Sequence, residues 1–404
     1  RGGAHRAGRP VIPLPLDELR GLGELRGDAQ EVTGVEVDSR RVGRGDLFVA
    51  VRGGHAYVDD ARARGAAATL VPDDDFEALA AIGRAVRERI GARVVAITGS
   101  VGKTSTKDIL AALLRAAGAN VVAAEDGYNN EVGLPLTLCR VDADTDVVVT
   151  EMGMRGPGQI RALAEIARPH VGLITSIAPV HLELLGSIEN IARAKAELLE
   201  IADVGIVPAD EPLLADSGAR VFEQPDVEIR DGHAVVDGVE FDFAARHQAA
   251  NAAGALAVLD ALGYERPSGV VEVTFSRWRS QETELPGGGL LINDAWNANP
   301  VAMRAALAHL RERAAGRRTV AILGDMAELG PEAPRFHEEI GADLGTLDIV
   351  IGVGELARGY HPTHWAASAA EALGLAREIV RPGDAILVKG SRAIGLETVA
   401  EALA

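Results

Sequence analysis

Gly99-Ser-Val-Gly-Lys-Thr104 combines two glycines, a lysine and a hydroxyl between an apolar run, Arg93–Thr98, and an Ala/Leu-rich stretch. That combination reads as a phosphate-binding loop. Backbone N–H groups from Gly99 through Ser100, Val101, Gly102 and Lys103 to Thr104 are expected to cradle phosphate oxygens at a helix N-terminus. Lys103 supplies a compact positive charge, and Thr104, followed by Ser105, supplies a hydroxyl for Mg²⁺. The strict G-x4-G-K-[ST] spacing would need glycine at Ile97, so the shorter G-x-x-G-K-T form stands beside a plainer reading, a glycine turn that merely starts a helix.

Lysine usage singles out further positions. Only four of the 41 basic residues are lysine: Lys103, Lys107, Lys195 and Lys389. Where arginine serves, this chain uses it, so each remaining lysine is a candidate for what a planar guanidinium cannot do, acting as a point charge in a tight loop or reacting through its amine. Lys107 has no motif around it and reads as ordinary surface. Lys195 lies on an amphipathic helical stretch, and Lys389 in Lys389-Gly-Ser391-Arg392 follows an apolar run.

Glu151 ends a strand-like run at about the distance downstream where a nucleotide-binding sheet places a metal-orienting carboxylate; a surface charge is the alternative. His181, after another strand end, is either a structural imidazole or a metal ligand. Asn129 and Asn130 are turn residues or polar groups facing a nucleotide. Asn251 lies one turn after Arg246-His247 at a helix start. Arg279, Asp294, Asn297, Asn299 and Asp325 complete a set of acids, amides and cations at the ends of apolar runs.

The elements that must position them follow from length and patterning. At 404 residues the chain is too long for one core. Short strands with one helix over about 61–68 describe a small α/β unit up to residue 88. Alternating strands and helices follow to residue 266, including a helix over Ile188–Ile201, and a third alternating unit spans 267–404. The fold class is therefore α/β in three domains, the second and third with parallel sheets whose ligand edge is the carboxyl end of the strands. Residues 1–10 read as a tail. The net charge of −18 argues against non-specific nucleic-acid binding. Absence of a ~20-residue apolar run argues against membrane insertion, and the N-terminal stretch lacks a signal-peptide block. The single cysteine, Cys139, rules out an intramolecular disulfide framework and reads as a small core residue. A cytoplasmic monomer is expected.

Taken together, Val37-Asp-Ser-Arg40, Gly45-Asp-Leu-Phe48, the 97–104 loop, Asn129-Asn-Glu-Val-Gly-Leu-Pro-Leu-Thr-Leu138, Glu151-Met-Gly-Met154, His181-Leu-Glu-Leu-Leu-Gly-Ser187, Ala194-Lys-Ala-Glu197, Asp294-Ala-Trp-Asn-Ala-Asn-Pro300, Leu323-Gly-Asp-Met-Ala-Glu-Leu-Gly330 and Val388-Lys-Gly-Ser-Arg392 resemble the Mur ligase family of peptidoglycan synthesis, from about Ile12 to the C-terminus. Where tripeptide-forming relatives carry Asp-Tyr-Ala-His-x-Pro and folylpolyglutamate synthetases Asp-Gly-Ala-His-Asn-Pro, this chain has asparagine in place of histidine, as in the branch that adds D-alanyl-D-alanine.

The resemblance implies an ATP-dependent amide ligase. ATP phosphorylates the terminal carboxylate of a UDP-MurNAc-tripeptide, the amine of D-Ala-D-Ala attacks the acyl phosphate, and phosphate leaves. It implies that Lys103 and the loop hold ATP phosphates and that Thr104 and Glu151 serve one Mg²⁺. His181 and a carbamate on Lys195 would serve a second ion; a carbamate forms on a neutral amine, which guanidinium does not offer. By the same analogy Asn251 contacts adenine, Arg279 the γ-phosphate, and Asp294 the ribose or the neighbouring hinge. Ser39, Arg40 and Asp46 bind UDP, while Asn130, Asn297, Asn299, Asp325, Lys389, Ser391 and Arg392 lie near the nucleotide and dipeptide. Loops near 53–59, 238–246 and 360–364 are shorter than the family usually has. The alternatives are a Mur-type ligase adding a single amino acid and an inactive nucleotide-binding regulator, against which intact Lys103, Glu151, His181 and Lys195 speak.

Overall fold

Val94 to Ile97 are fully buried, as expected of a strand covered on both faces of a parallel sheet. In the computed structural model, which describes residues 12–180 and 182–404, they form the middle of strand Arg93–Thr98. The 1–10 tail and His181 lie outside the described residues.

Three α/β units result. In the first, Gly23–Arg26 pairs antiparallel with Ala68–Pro72, and Asp46–Val49 and Gly34–Glu36 continue the sheet in parallel. The helix expected over 61–68 instead runs Val58–Ala63, because Gly65, at φ +104°, breaks it before the next strand begins at Ala68. Helix Asp75–Arg87, N-capped by Asp74, joins this unit to the second in one continuous core.

The second unit is a six-stranded all-parallel sheet in the order Arg220–Phe222, Val204–Pro208, Val171–Ile174, Arg93–Thr98, Val147–Glu151, Val121–Ala123. The strand order reverses around Arg93–Thr98, so its carboxyl end opens the crevice where such sheets bind ligands. The helix expected over Ile188–Ile201 ends at Ala196. Glu197 instead accepts N–H bonds from Gly158 (2.8 Å) and Arg161 (3.0 Å) at the start of helix Gln159–Ala167. A small sheet of Glu228–Arg230, His233–Val236 and Val239–Phe241 takes its last strand, Val270–Val271, from beyond the unit boundary expected after residue 266.

The third unit has the order Gln281–Leu285, Gly289–Asp294, Ala385–Lys389, Thr319–Gly324, Ile349–Val353, His364–Ala366, with only the first pair antiparallel. Helices on both faces bury two separate cores.

Candidate active site

The loop after Arg93–Thr98 needs glycine at two places. A Cβ on Gly99, at φ +149°, would collide with the Thr175 hydroxyl, and one on Gly102, at φ +86°, with the Asn251 side chain. Asn251 thus sits directly against the loop, from helix Arg246–Ala261. The loop is pinned to the neighbouring strand end: Ser100 N donates to Ser176 O (2.9 Å), Val101 N to Ser176 Oγ (3.0 Å), and Ser100 Oγ to Ala178 O (3.0 Å). The Ser100 and Val101 amides, expected among the phosphate donors, are therefore engaged within the protein. Helix Lys103–Ala116 starts immediately afterwards, and the N–H groups of its first turn have no intrahelical acceptor and carry the positive end of the helix dipole.

Four parts of the chain converge on this turn. Thr104 Oγ1 donates to Glu151 Oε2 at 2.8 Å and accepts from an Arg279 guanidinium nitrogen at 3.1 Å. Asn129 Nδ2 donates to the other carboxylate oxygen of Glu151 at 3.0 Å. Lys103 Nζ and Lys195 Nζ both donate to Gly99 O, at 2.8 and 2.9 Å. Lys195 is 2% exposed; burial first, and then the Lys103 charge, push its pKa well below the ordinary lysine value. Burial also lowers Lys103, against the pull of Glu151 and with some help from Arg279. Glu151, although burial raises it, is held below the usual carboxylate range by Lys103, the Asn129 hydrogen bond and Arg279. The result is a buried patch with one ionised carboxylate, a guanidinium and two amines, one strongly disposed to be neutral, at a helix N-terminus. Such an arrangement binds polyphosphate and can hold a reacting anion against it.

Profiles for the Mur ligase middle domain and for the Mur ligase glutamate ligase domain match residues 97–229 and 278–392. The UDP-N-acetylmuramoyl-tripeptide–D-alanyl-D-alanine ligase of Mycobacterium leprae is 34% identical, covering 93% of each chain. The chain belongs to the Mur ligase family. The Escherichia coli ligase of the same name is 31% identical to this Mur ligase, over 97% of the chain and 99% of its own length. Among solved structures, MurF from Acinetobacter baumannii superposes with TM-score 0.85 at 27% identity, covering 98% of this chain and 99% of its own. MurF from Thermotoga maritima, in complex with ADP, gives 0.79 at 26% identity, covering 91% and 96%.

The remaining candidates of this Mur ligase fall into groups. In the first unit, Ser39 Oγ donates to Asp60 (2.7 Å), Arg40 is exposed and ion-paired with Asp38 (2.6 Å), and Asp46 accepts the Gly43 N–H (2.7 Å). Arg40 and Asp46 line a cleft of about 1930 Å³ that Arg115, Arg140 and Arg277 also line, together with Lys107, Asp108 and Ser276. In the third unit Lys389 Nζ, 3% exposed, bonds Asp294 Oδ2 (2.5 Å) and Asn297 O (2.9 Å), and Ser280 N donates to Asp294 Oδ1 (3.1 Å). Asn299 N-caps helix Pro300–Ala314 through Ala302 N (2.9 Å). Asp325 accepts the Ala357 N–H (2.7 Å), and Ser391 Oγ accepts that of Ala327 (2.9 Å). Arg392 lies over the Trp278 ring at 4.5 Å and is ion-paired with Glu397. His181 has no described position.

Of the two asparagines left open by the sequence, Asn129 is the one on Glu151, whereas Asn130 Oδ1 accepts from Val132 (3.1 Å) and Gly133 (3.0 Å) to start helix Gly133–Leu138. Reading Lys107 as ordinary surface was incorrect: it is 3% exposed and bonded on three sides. Its rarity as a lysine was the available signal. Ser176 and Trp278 had no signal of their own, since a pinned loop and a stacked ring depend on elements distant in sequence.

Proposed function

We propose that this chain is the ATP-dependent ligase that joins D-alanyl-D-alanine to a UDP-MurNAc-tripeptide, with domain roles divided at about 11–88, 89–266 and 267–404. The observation that carries the reading is the meeting of Glu151, Arg279 and the two Gly99-bound lysines at the Thr104 turn, in a chain aligned over nearly its whole length with ligases of that name.

The chemistry follows from bringing two anions together. ATP phosphates lie along the Gly99–Ser105 turn, with Lys103 and Arg279 offsetting their charge. Asn251 lies where the nucleoside emerges, and Asp294, Asn297 and Lys389 close the nucleotide site from the third unit. The tripeptide carboxylate attacks the γ-phosphorus, ADP departs, and an acyl phosphate forms. The dipeptide's neutral amine then adds to the acyl carbon, inorganic phosphate leaves, and the nitrogen loses a proton to give the amide. Closure of the third unit excludes water from the acyl phosphate.

A buried hydroxyl paired with an ionised carboxylate is an oxygen donor set suited to Mg²⁺, so Thr104 and Glu151 fit the expected ion. When bound, it offsets charge on the phosphoryl oxygens. The second proposed ion draws on His181 and Lys195. The Lys195 amine, favoured as neutral, is the form that adds CO₂, giving a carbamate and releasing a proton. The UDP moiety is assigned to the cleft lined by Arg40 and Asp46, with Ser39 beside it, and Asn299, Asp325, Ser391 and Arg392 to the dipeptide side. Among the described residues no helix is long and apolar enough to cross a membrane. A cytoplasmic, monomeric enzyme is the proposal.

The test is phosphate release with UDP-MurNAc-tripeptide and ATP, comparing D-Ala-D-Ala with single amino acids. Dipeptide-dependent release supports the reading. Release only with one L-amino acid or diaminopimelate would overturn the branch assignment.

A further inference from the structure

The segment that carries Arg279 is bonded to two successive turns of the phosphate-loop helix. Thr104 and Asp108, four residues apart, lie on one helix face. Arg279 reaches Thr104 Oγ1 (3.1 Å), while Ser276, three residues earlier, is held at Asp108: its N–H donates to Oδ2 (2.8 Å) and its hydroxyl to Oδ1 (3.2 Å). Lys107 Nζ completes the ring, bonding Ser276 Oγ (3.3 Å), Asp108 Oδ1 (2.8 Å) and Ala124 O (2.9 Å). Three ammonium donors meet three acceptors from three elements, a match that a planar guanidinium would not make in the same buried space. Between these anchors and the third sheet, Trp278 (φ +58°) and Ser280 (φ +51°) adopt left-handed backbone on either side of Arg279. Non-glycine residues hold that conformation only where their surroundings enforce it. The Arg279 guanidinium also lies 5.4 Å from the Trp296 ring centroid, and Trp278 stacks on Trp296 at 5.8 Å.

We infer that Lys107 and Asp108 are positioning residues which, through Ser276, latch the crossover between the second and third units and thereby set the Arg279 guanidinium over the ATP phosphates. Lys107, Asp108 and Ser276 also line the cleft assigned to the UDP moiety; on ATP the latch acts through Arg279 and rests on the assignment of Arg279 to ATP. Loss of the latch lets the crossover swing, so ATP is met by a misplaced guanidinium.

The experiment is steady-state kinetics of Ser276→Ala and Lys107→Met alone and in an Arg279→Ala background, with Ser276→Thr as the conservative rescue. Each single variant is expected to raise the KM for ATP roughly tenfold, the scale of a lost hydrogen bond to a charged group. Ser276→Thr is expected to recover most of the loss, and neither change to add to that of Arg279→Ala. A purely structural role predicts a lowered melting temperature and losses that multiply with Arg279→Ala, and either multiplication or wild-type kinetics for Ser276→Ala overturns the latch. If Arg279→Ala itself leaves the KM for ATP unchanged, the ATP assignment falls and the latch with it. Should Lys107→Met fail to fold, Ser276→Ala decides alone.

Discussion

The ammonium groups of Lys103 and Lys195 meet at one acceptor, the carbonyl oxygen of Gly99, at 2.8 and 2.9 Å. Two cations so close and so buried repel each other, and the one with fewer compensating charges is the more easily deprotonated. That is Lys195: burial and Lys103 alone act on it, whereas Lys103 is also attracted by Glu151. On the proposed reading, the same backbone turn holds one lysine for its charge and one for its amine.

Lys195→Ala is expected to lose at least about a hundredfold in kcat, and short carboxylates such as formate or acetate to restore part of it, because they replace the anion of a carbamate. Turnover in CO₂-depleted buffer, compared with bicarbonate-supplemented buffer, checks the same point in the unmodified chain. Full activity of unsupplemented Lys195→Ala would refute the carbamate.

Glu151→Gln keeps the size and one acceptor, for Asn129, but turns an amide N–H towards Thr104 and removes the charge. A loss of about two orders of magnitude in kcat/KM for ATP is expected, with Mn²⁺ affinity weakened in parallel. Mn²⁺ titration followed by electron paramagnetic resonance reports the second effect independently of turnover. Unchanged Mn²⁺ affinity would remove Glu151 from the metal site.

His247 gives a pH prediction. Its pKa falls from 6.5 to about 4, chiefly through burial, with His309 and Lys389 lowering it and Asp294 opposing them. Between pH 6.5 and 4 the unfolded chain thus binds a proton that the folded chain does not, so this site's contribution is complete above 6.5 and is lost as pH falls towards 4, by up to about 3 kcal/mol. Denaturant midpoints of His247→Gln should therefore fall less over that interval than those of the unsubstituted chain. Equal slopes would show that His247 is not the group responsible.

Asp294→Ala is expected to destabilise the third unit by about 3–5 kcal/mol, because it leaves the buried Lys389 ammonium without its carboxylate. Asp294→Ala with Lys389→Met should be far milder, since both partners are then removed. Thermal unfolding of the single and double variants measures the difference, and a mild single variant would contradict the buried pair.

Much of this was readable in the chain because the deciding residues announce themselves locally. Val94–Ile97 are apolar without alternation, as a doubly covered strand must be, and the Gly99–Thr104 turn follows directly. Helix Pro300–Ala314 and helix Ala369–Ile379 begin at local signals, a proline at the first turn of one and a capping serine before the other. Strand Gln281–Leu285 escaped because Gln281, Glu282, Thr283 and Glu284 show no apolar face; Gly289–Asp294 supplies its order by pairing. Lys107 escaped because its acceptors, Ala124 and Ser276, are remote in sequence. Asn129 and Asn130 are indistinguishable as neighbours, and only the strand ending in Glu151 separates their roles.

The most direct test of the central claim is transfer of oxygen-18 from a labelled tripeptide carboxylate into inorganic phosphate during D-Ala-D-Ala-dependent turnover. Attack of that carboxylate on the γ-phosphorus, at the site built by Lys103, Thr104, Glu151 and Arg279, predicts that each phosphate released from fully labelled carboxylate carries one labelled oxygen. Unlabelled phosphate, with the label appearing in AMP or remaining in the peptide, would contradict it.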